Sequence, residues 1–113
     1  MIEQGDLVLA PFPFSDQSGR KIRPAIVVSN KQFNNFSEDV IVVGVTSNMI
    51  RNKYTLDLTN SDLDFGTLTV FCCIKPENIM ILDKSLIKKR IGKVKKNKMK
   101  AIFDKITGLI EVK

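Results

Sequence analysis

From Val40 to Thr46 the chain reads Val-Ile-Val-Val-Gly-Val-Thr, and six of these seven residues branch at Cβ. Such side chains lose rotamer freedom in a helix and pack well on a pleated surface. The run is therefore a strand, and its lack of charge suits a buried one. Ala25-Ile26-Val27-Val28 after Pro24 reads the same way, and Leu7-Val8-Leu9-Ala10 is a shorter apolar run that Pro11 and Pro13 should break. Tyr54 to Leu58 alternates apolar and polar residues, as a half-buried strand does. Thr67–Ile74 and Glu77–Ile81 read as two more strands, Asn30–Asp39 as a polar connection, and Asn60–Gly66 as a turn.

The pattern changes near the C-terminus. Asp83 or Ser85 caps a helical turn, and Ile91-Gly92-Lys93-Val94 returns to the sheet. From Lys96 to Ile110 the apolar residues Met99, Ile102, Phe103, Ile106, Leu109 and Ile110 recur in steps of three and four, with most lysines off that stripe. Short strands, Gly/Pro turns and one late helix predict a mainly β fold: a small barrel with the helix packed on it. The stripe either caps the barrel or contributes to a dimer seam.

The chain of 113 residues fits a single domain, 1–113. It has no histidine, which removes every histidine-based triad, dyad and general base. Two cysteines do not make a four-ligand zinc site, and adjacent Cys72 and Cys73 would point to opposite faces of a strand. No apolar run approaches the roughly 18 residues of a membrane span, and the start lacks a basic and apolar leader, so the chain reads as cytoplasmic. Charge is uneven. Residues 1–83 hold seven Lys/Arg against ten Asp/Glu, and residues 84–113 hold eleven against two. Two readings fit this: an acidic partner such as nucleic acid or an acidic protein segment, or a solvated lysine-rich surface.

Two stretches have chemical interest. Arg20-Lys21-Ile22-Arg23-Pro24 puts three cations at the mouth of a buried strand, and Pro24 holds Arg23 extended. A guanidinium aimed this way can grip a phosphate with two hydrogen bonds. Thr46-Ser47-Asn48 ends the strongest strand with three side chains able to donate to an anion. Taken singly, each is equally an ordinary strand entry or exit. If the two strands are antiparallel neighbours, Arg23 and Thr46 meet at one end of the sheet.

Gly5-Asp6-Leu7-Val8, Lys21-Ile22-Arg23-Pro24-Ala25-Ile26-Val27-Val28, Val45-Thr46-Ser47 and Ile74-Lys75-Pro76-Glu77-Asn78-Ile79, leading to Leu82-Asp83-Lys84-Ser85-Leu86-Ile87, fall in one order along nearly the whole chain. In this the sequence resembles the MazF/PemK toxin family. The resemblance implies a small SH3-like barrel of CcdB/PemK type with a C-terminal helix, usually homodimeric. It implies the toxin of a toxin–antitoxin pair, an endoribonuclease that cuts single-stranded RNA without a metal or other cofactor. The 2′-hydroxyl attacks the adjacent phosphate and leaves a 2′,3′-cyclic phosphate and a 5′-hydroxyl. Arg23 and Thr46 match the family's catalytic Arg and Thr.

The sequence departs from the family at two places: Ser18 stands where a Glu often precedes the Arg, and Cys72 where a Ser is common. The general base is therefore open between Asp16, Asp57, Asp62, Asp64, a water and none. Phe14, Ser18, Arg20, Lys21, Ser47, Asn48, Arg51 and Lys53 form the expected RNA surface, because aromatic and basic residues together suit single strands. Phe12 and Phe14 serve equally as apolar plugs beneath the loop. A cognate acidic antitoxin would meet the lysine-rich stretch or cover the groove. The rival readings are an RNA-binding barrel that does not cut and a gyrase-directed toxin of the same fold.

Overall fold

The computed structural model describes residues 1–12 and 21–113. Its elements in chain order are β1 (Asp6–Phe12), β2 (Lys21–Val27), α1 (Lys31–Phe36), β3 (Asp39–Thr46), β4 (Leu56–Leu58), β5 (Leu63–Gly66), β6 (Cys72–Asp83), β7 (Lys89–Val94) and α2 (Lys96–Ile110). The strands form one antiparallel sheet in the order β4-β6-β3-β2-β1-β7-β5. β4 and β5 are its two edges, yet only residues 59–62 join them. From Leu58 to Leu63 the chain reaches at most about 19 Å, whereas seven strands laid flat would separate the edges by about 29 Å. The sheet must curl, and it forms a half-closed barrel with α2 packed on β6.

Alternation along the strands sorts the apolar residues into two cores. Leu7, Ile26, Val43, Val45 and Ile74 fill one face together with Ile102 of α2. Val8, Ala10, Ala25, Val27, Val42 and Leu82 fill the other. The mainly β architecture and the bounds of α2 are as the periodicity predicts. The stripe on α2 is narrower than read: Ile102 is buried, but Phe103 is 67% exposed and Ile110 is also exposed. Among the described residues no helix is long and apolar enough to cross a membrane.

Several local expectations are corrected. β1 runs through Pro11, which pairs with Ile22; β7 pairs with β1 only as far as Leu9, so the proline's missing N–H faces no second neighbour. Pro24 likewise lies inside β2 but beyond its pairing with β3. The polar connection after β2 holds α1. Asn30 caps it by accepting from the Phe33 N–H at 3.1 Å, and buried Asn34 bonds to the Ser29 carbonyl at 2.9 Å. The segment read as a turn before Gly66 is a short 3-10 helix at Asn60–Asp62 followed by β5. Residues 67–71 are not a strand, because Asn60 takes up the backbone of Leu68 through both its amide atoms. The two late strands are one, β6, which pairs with β3 on both sides of a three-residue bulge between Lys75 and Ile79.

The Asn34 arrangement carries a stability prediction. Its side chain also accepts from the Ser29 hydroxyl, which in turn accepts from the Ile41 N–H at 2.9 Å. Asn34→Ala strands those buried groups, and urea unfolding should show a loss of about 2 kcal/mol.

Candidate active site

Strand register builds the site. β2 and β3 pair Ala25 with Gly44, and the same register carried to the strand ends sets Arg23 opposite Thr46. β3 and β6 pair Thr46 with Cys73 and Gly44 with Lys75. β4 and β6 pair Asp57 with Cys73. Directly opposed residues share a face, so Asp57, Cys73, Thr46 and Arg23 make one lateral row, with Lys75 in the next. Arg23 is placed because Pro24 keeps its strand extended and because Ala25 and Val27, on the same face, are buried in the second core.

Arg23, Thr46, Ser47, Asn48, Ile50, Lys75 and Asn78 line a cleft of about 530 Å³. Two cations and four hydroxyl or amide side chains face it, and among the described residues no carboxylate lines it. A lining of this kind suits an anion. The Thr46 hydroxyl oxygen accepts the Asn48 N–H at 3.0 Å, which leaves its own proton to donate. Asn48 in turn accepts the Ile50 N–H at 3.0 Å. The Lys75 ammonium bonds to the Ile50 carbonyl and to Thr55 Oγ1, so it both adds charge and fixes the loop after β3.

The cleft brings together four residues that the sequence singles out: Arg23, Thr46, Ser47 and Asn48. Lys75, Asn78 and Ile50 are additions. The signal for Lys75 was its place in the Ile74–Asn78 block, but only the β3–β6 register shows that it faces the same way as Arg23 and Thr46. Arg51 and Lys53 sit on the β3–β4 loop and do not line the cleft. Arg51 donates to Asp57 at 2.6 Å and to Cys73 Sγ at 3.4 Å; the Asp57 hydrogen bond holds its proton more firmly still. Lys53 lies over the Tyr54 ring at 5.2 Å. Lys21 opens β2 and is exposed. Phe14, Ser18, Arg20 and Asp16 lie outside the described residues.

The remaining carboxylates have other occupations. Asp57 holds Arg51, Asp62 caps the 3-10 helix and meets Lys98 at 3.5 Å, and Asp64 is exposed on β5. Glu77, beside Asn78, accepts from the Asn52 amide at 2.8 Å. Cys72 packs in the first core, where burial and then neighbouring Cys73 push its thiol above the ordinary range. It is an inert packing residue.

The family described as PemK-like, MazF-like toxin of type II toxin-antitoxin system matches residues 3–110. The chain belongs to this family. Its match takes in both cores, the cleft and α2. Among curated relatives it is similar to Endoribonuclease MazF of Staphylococcus saprophyticus subsp. saprophyticus, at 28% identity over 113 residues covering 94% of this chain and 88% of the relative. Among solved structures it is similar to a mycobacterial endoribonuclease in complex with its cognate antitoxin (TM-score 0.79, 18% identity, 100% of this chain and 98% of that one). It is also similar to the MazE-MazF structure, Form-II, from Deinococcus radiodurans (TM-score 0.74, 19% identity, 99% and 97%). The half-barrel with its C-terminal helix is thus the fold of MazF-type toxins.

Proposed function

We propose that this chain is an endoribonuclease acting as the toxin of a toxin–antitoxin pair, and that it cuts single-stranded RNA in the Arg23–Thr46 cleft. The observation that carries this is a cleft with two cations and several neutral donors, at the strand ends of a chain of this family. In the reaction the 2′-hydroxyl gives up its proton to water as its oxygen forms a bond to phosphorus, the bond from phosphorus to the 5′-oxygen breaks, and the leaving oxygen takes a proton from water. Negative charge gathers on the non-bridging oxygens. Arg23 and Lys75 offset it with fixed charge and Thr46 donates one hydrogen bond, all stronger in the transition state than in the ground state. Ser47, Asn48 and Asn78 orient the backbone of the RNA. None of these steps calls on a metal ion.

The test is incubation with a long single-stranded RNA in EDTA, followed by end-group analysis. Cuts at a repeated short motif with 5′-hydroxyl and cyclic-phosphate ends are expected. One observation favours a second reading, an RNA-binding barrel that does not cut: no described carboxylate lines the cleft. Intact RNA that nevertheless shifts in a salt-dependent binding assay would decide for it.

The partners follow from the surfaces. A groove of about 700 Å³ between α2 and the sheet is lined by Val28, Ile41, Ile79, Met99, Phe103 and Ile106. Exposed Ile81 pairs with Ile41 and extends this apolar face. In our reading a second copy covers it, so the working form is a homodimer, and sedimentation of Phe103→Glu should show a monomer where the wild type is a dimer. The mycobacterial endoribonuclease solved with its cognate antitoxin supports an antitoxin as the protein partner here. Exposed Lys88, Lys89 and Lys95, which lie outside that groove, suit an acidic one. In this reading the protein works in the cytoplasm, with its RNA and its antitoxin.

A further inference from the structure

Phe71 stands immediately before β6 and is 47% exposed. It belongs to neither apolar core. Cys72 points into the first core, and Cys73 faces the row of Thr46 and Asp57. Phe71 precedes the strand and does not line the cleft, but the alternation of β6 carried one residue back puts it on the side of Cys73, one step beyond that row. Two residues along a strand cover roughly 6.6 Å, the order of one nucleotide step in an extended strand.

The other exposed phenylalanines of the described residues lie elsewhere. Phe33 and Phe36 are on α1, which follows the far end of β2. Phe65 is covered by the Arg90 guanidinium at 5.3 Å, and Phe103 is on α2. Phe71 is also held in place. The Leu68 N–H donates to Asn60 Oδ1 at 2.7 Å and the Asn60 amide returns a bond to the Leu68 carbonyl at 3.3 Å, so the segment before Phe71 is tied to the 3-10 helix after β4. Arg51 of the β3–β4 loop bonds to Asp57 and to the Sγ of Cys73, two residues along the chain from Phe71. An aromatic ring on a braced segment beside cations is the combination that binds single-stranded nucleic acid: the ring stacks a base and the cations meet phosphates.

We propose that Phe71 stacks a nucleobase flanking the phosphate held at Arg23 and Lys75, and so helps set which sequences are cut. This rests on the ribonuclease reading above and adds a specificity residue to it.

The experiment compares wild type with Phe71→Ala, Phe71→Leu and Phe71→Trp. The probes are short single-stranded RNAs carrying the cut motif, cleavable for kinetics and 2′-deoxy at the cut for binding. Each is also made abasic at one flanking position at a time. Stacking predicts that Phe71→Ala and Phe71→Leu both weaken binding and raise KM by about tenfold, with kcat little changed. Phe71→Trp should retain affinity, and its fluorescence should be quenched by RNA. One abasic position should weaken wild type about tenfold and leave Phe71→Ala unaffected. Melting curves control for folding. If Phe71→Leu behaves as wild type, the residue only packs and the proposal falls. If wild type cuts RNA and Phe71→Ala cuts it with the same KM and motif, stacking is overturned and the ribonuclease stands. If wild type neither binds nor cuts, the ribonuclease reading fails and this proposal with it.

Discussion

Arg23→Ala should cut RNA at least about a hundredfold more slowly than wild type while keeping its fold and most of its affinity. Removing one preorganised donor at a developing oxyanion typically costs 10²- to 10³-fold in rate, roughly 3 to 4 kcal/mol. Arg23 sits at the upper part of that range because it brings a full charge as well as a planar donor fork. Its backbone is fixed within β2 between its partner Ala10 and the buried Ala25. The alanine variant keeps that backbone, and alanine is no burden in a strand already flanked by small residues, so the melting temperature should move little. Binding loses one phosphate contact among several, since Lys75 and the neutral donors remain. The informative readout is therefore kcat, measured beside affinity for a 2′-deoxy RNA that cannot be cut. A variant with unchanged kcat would remove Arg23 from the chemistry. Thr46→Val should show a smaller loss, about tenfold to a hundredfold, because it removes one neutral hydrogen bond.

How this site could be read from sequence depends on the length of its signals. The strand Val40–Thr46 and the helix Lys96–Ile110 announce themselves through runs long enough for periodicity to speak. Arg23 and Thr46 could be paired from sequence alone because a hairpin-like return links their strands. Lys75 could not: it faces the cleft only because β6 bulges by three residues after it, and no residue pattern specifies a bulge of that length. α1 escaped because its six residues are too few for a stripe, and its support comes from the side-chain bond of Asn34 to Ser29 and the long-range bond of Lys84 to the Asn34 carbonyl. β4 and β5 are short edge strands whose neighbours, not their own residues, define them.

The basic C-terminal quarter shows the same limit. As a string of lysines it suggests an anionic partner, yet much of it is engaged within the fold. Lys98 meets Asp62 and the Asp57 carbonyl, Lys105 meets the Lys53 carbonyl, and Lys93 meets Glu3 and Asp6. These lysines tie α2 and β7 to the barrel beneath the β3–β4 loop and the N-terminus. Only the exposed remainder is left to attract RNA or an acidic protein.

The second large effect is expected at Asp6, far from the cleft. Gly5 takes a left-handed backbone with φ of 94°, which few other residues adopt, and turns the chain into β1. Asp6 is then fully buried. Its carboxylate accepts the Glu3 N–H at 2.8 Å and faces Lys93 at 3.3 Å and Arg90 at 3.6 Å. Burial disfavours the charge on Lys93, but Glu3 and Asp6 outweigh it and hold the ammonium proton above the ordinary lysine range. Asp6→Ala removes the buried partner and leaves the Glu3 N–H without an acceptor and Lys93 with only exposed Glu3. Breaking a buried pair from one side costs 3 to 5 kcal/mol, and since Lys93 reaches the surface the low end applies, about 3 kcal/mol. For a domain of this size that is a fall in melting temperature of roughly 12 to 20 °C. Asp6→Asn should recover part of it, because the amide oxygen can still accept from Glu3 while the charge is lost. Urea unfolding of the two variants separates the hydrogen bond from the ion pair: equal losses would assign the whole effect to charge, and a wild-type midpoint in Asp6→Ala would remove Asp6 from the stability of the fold.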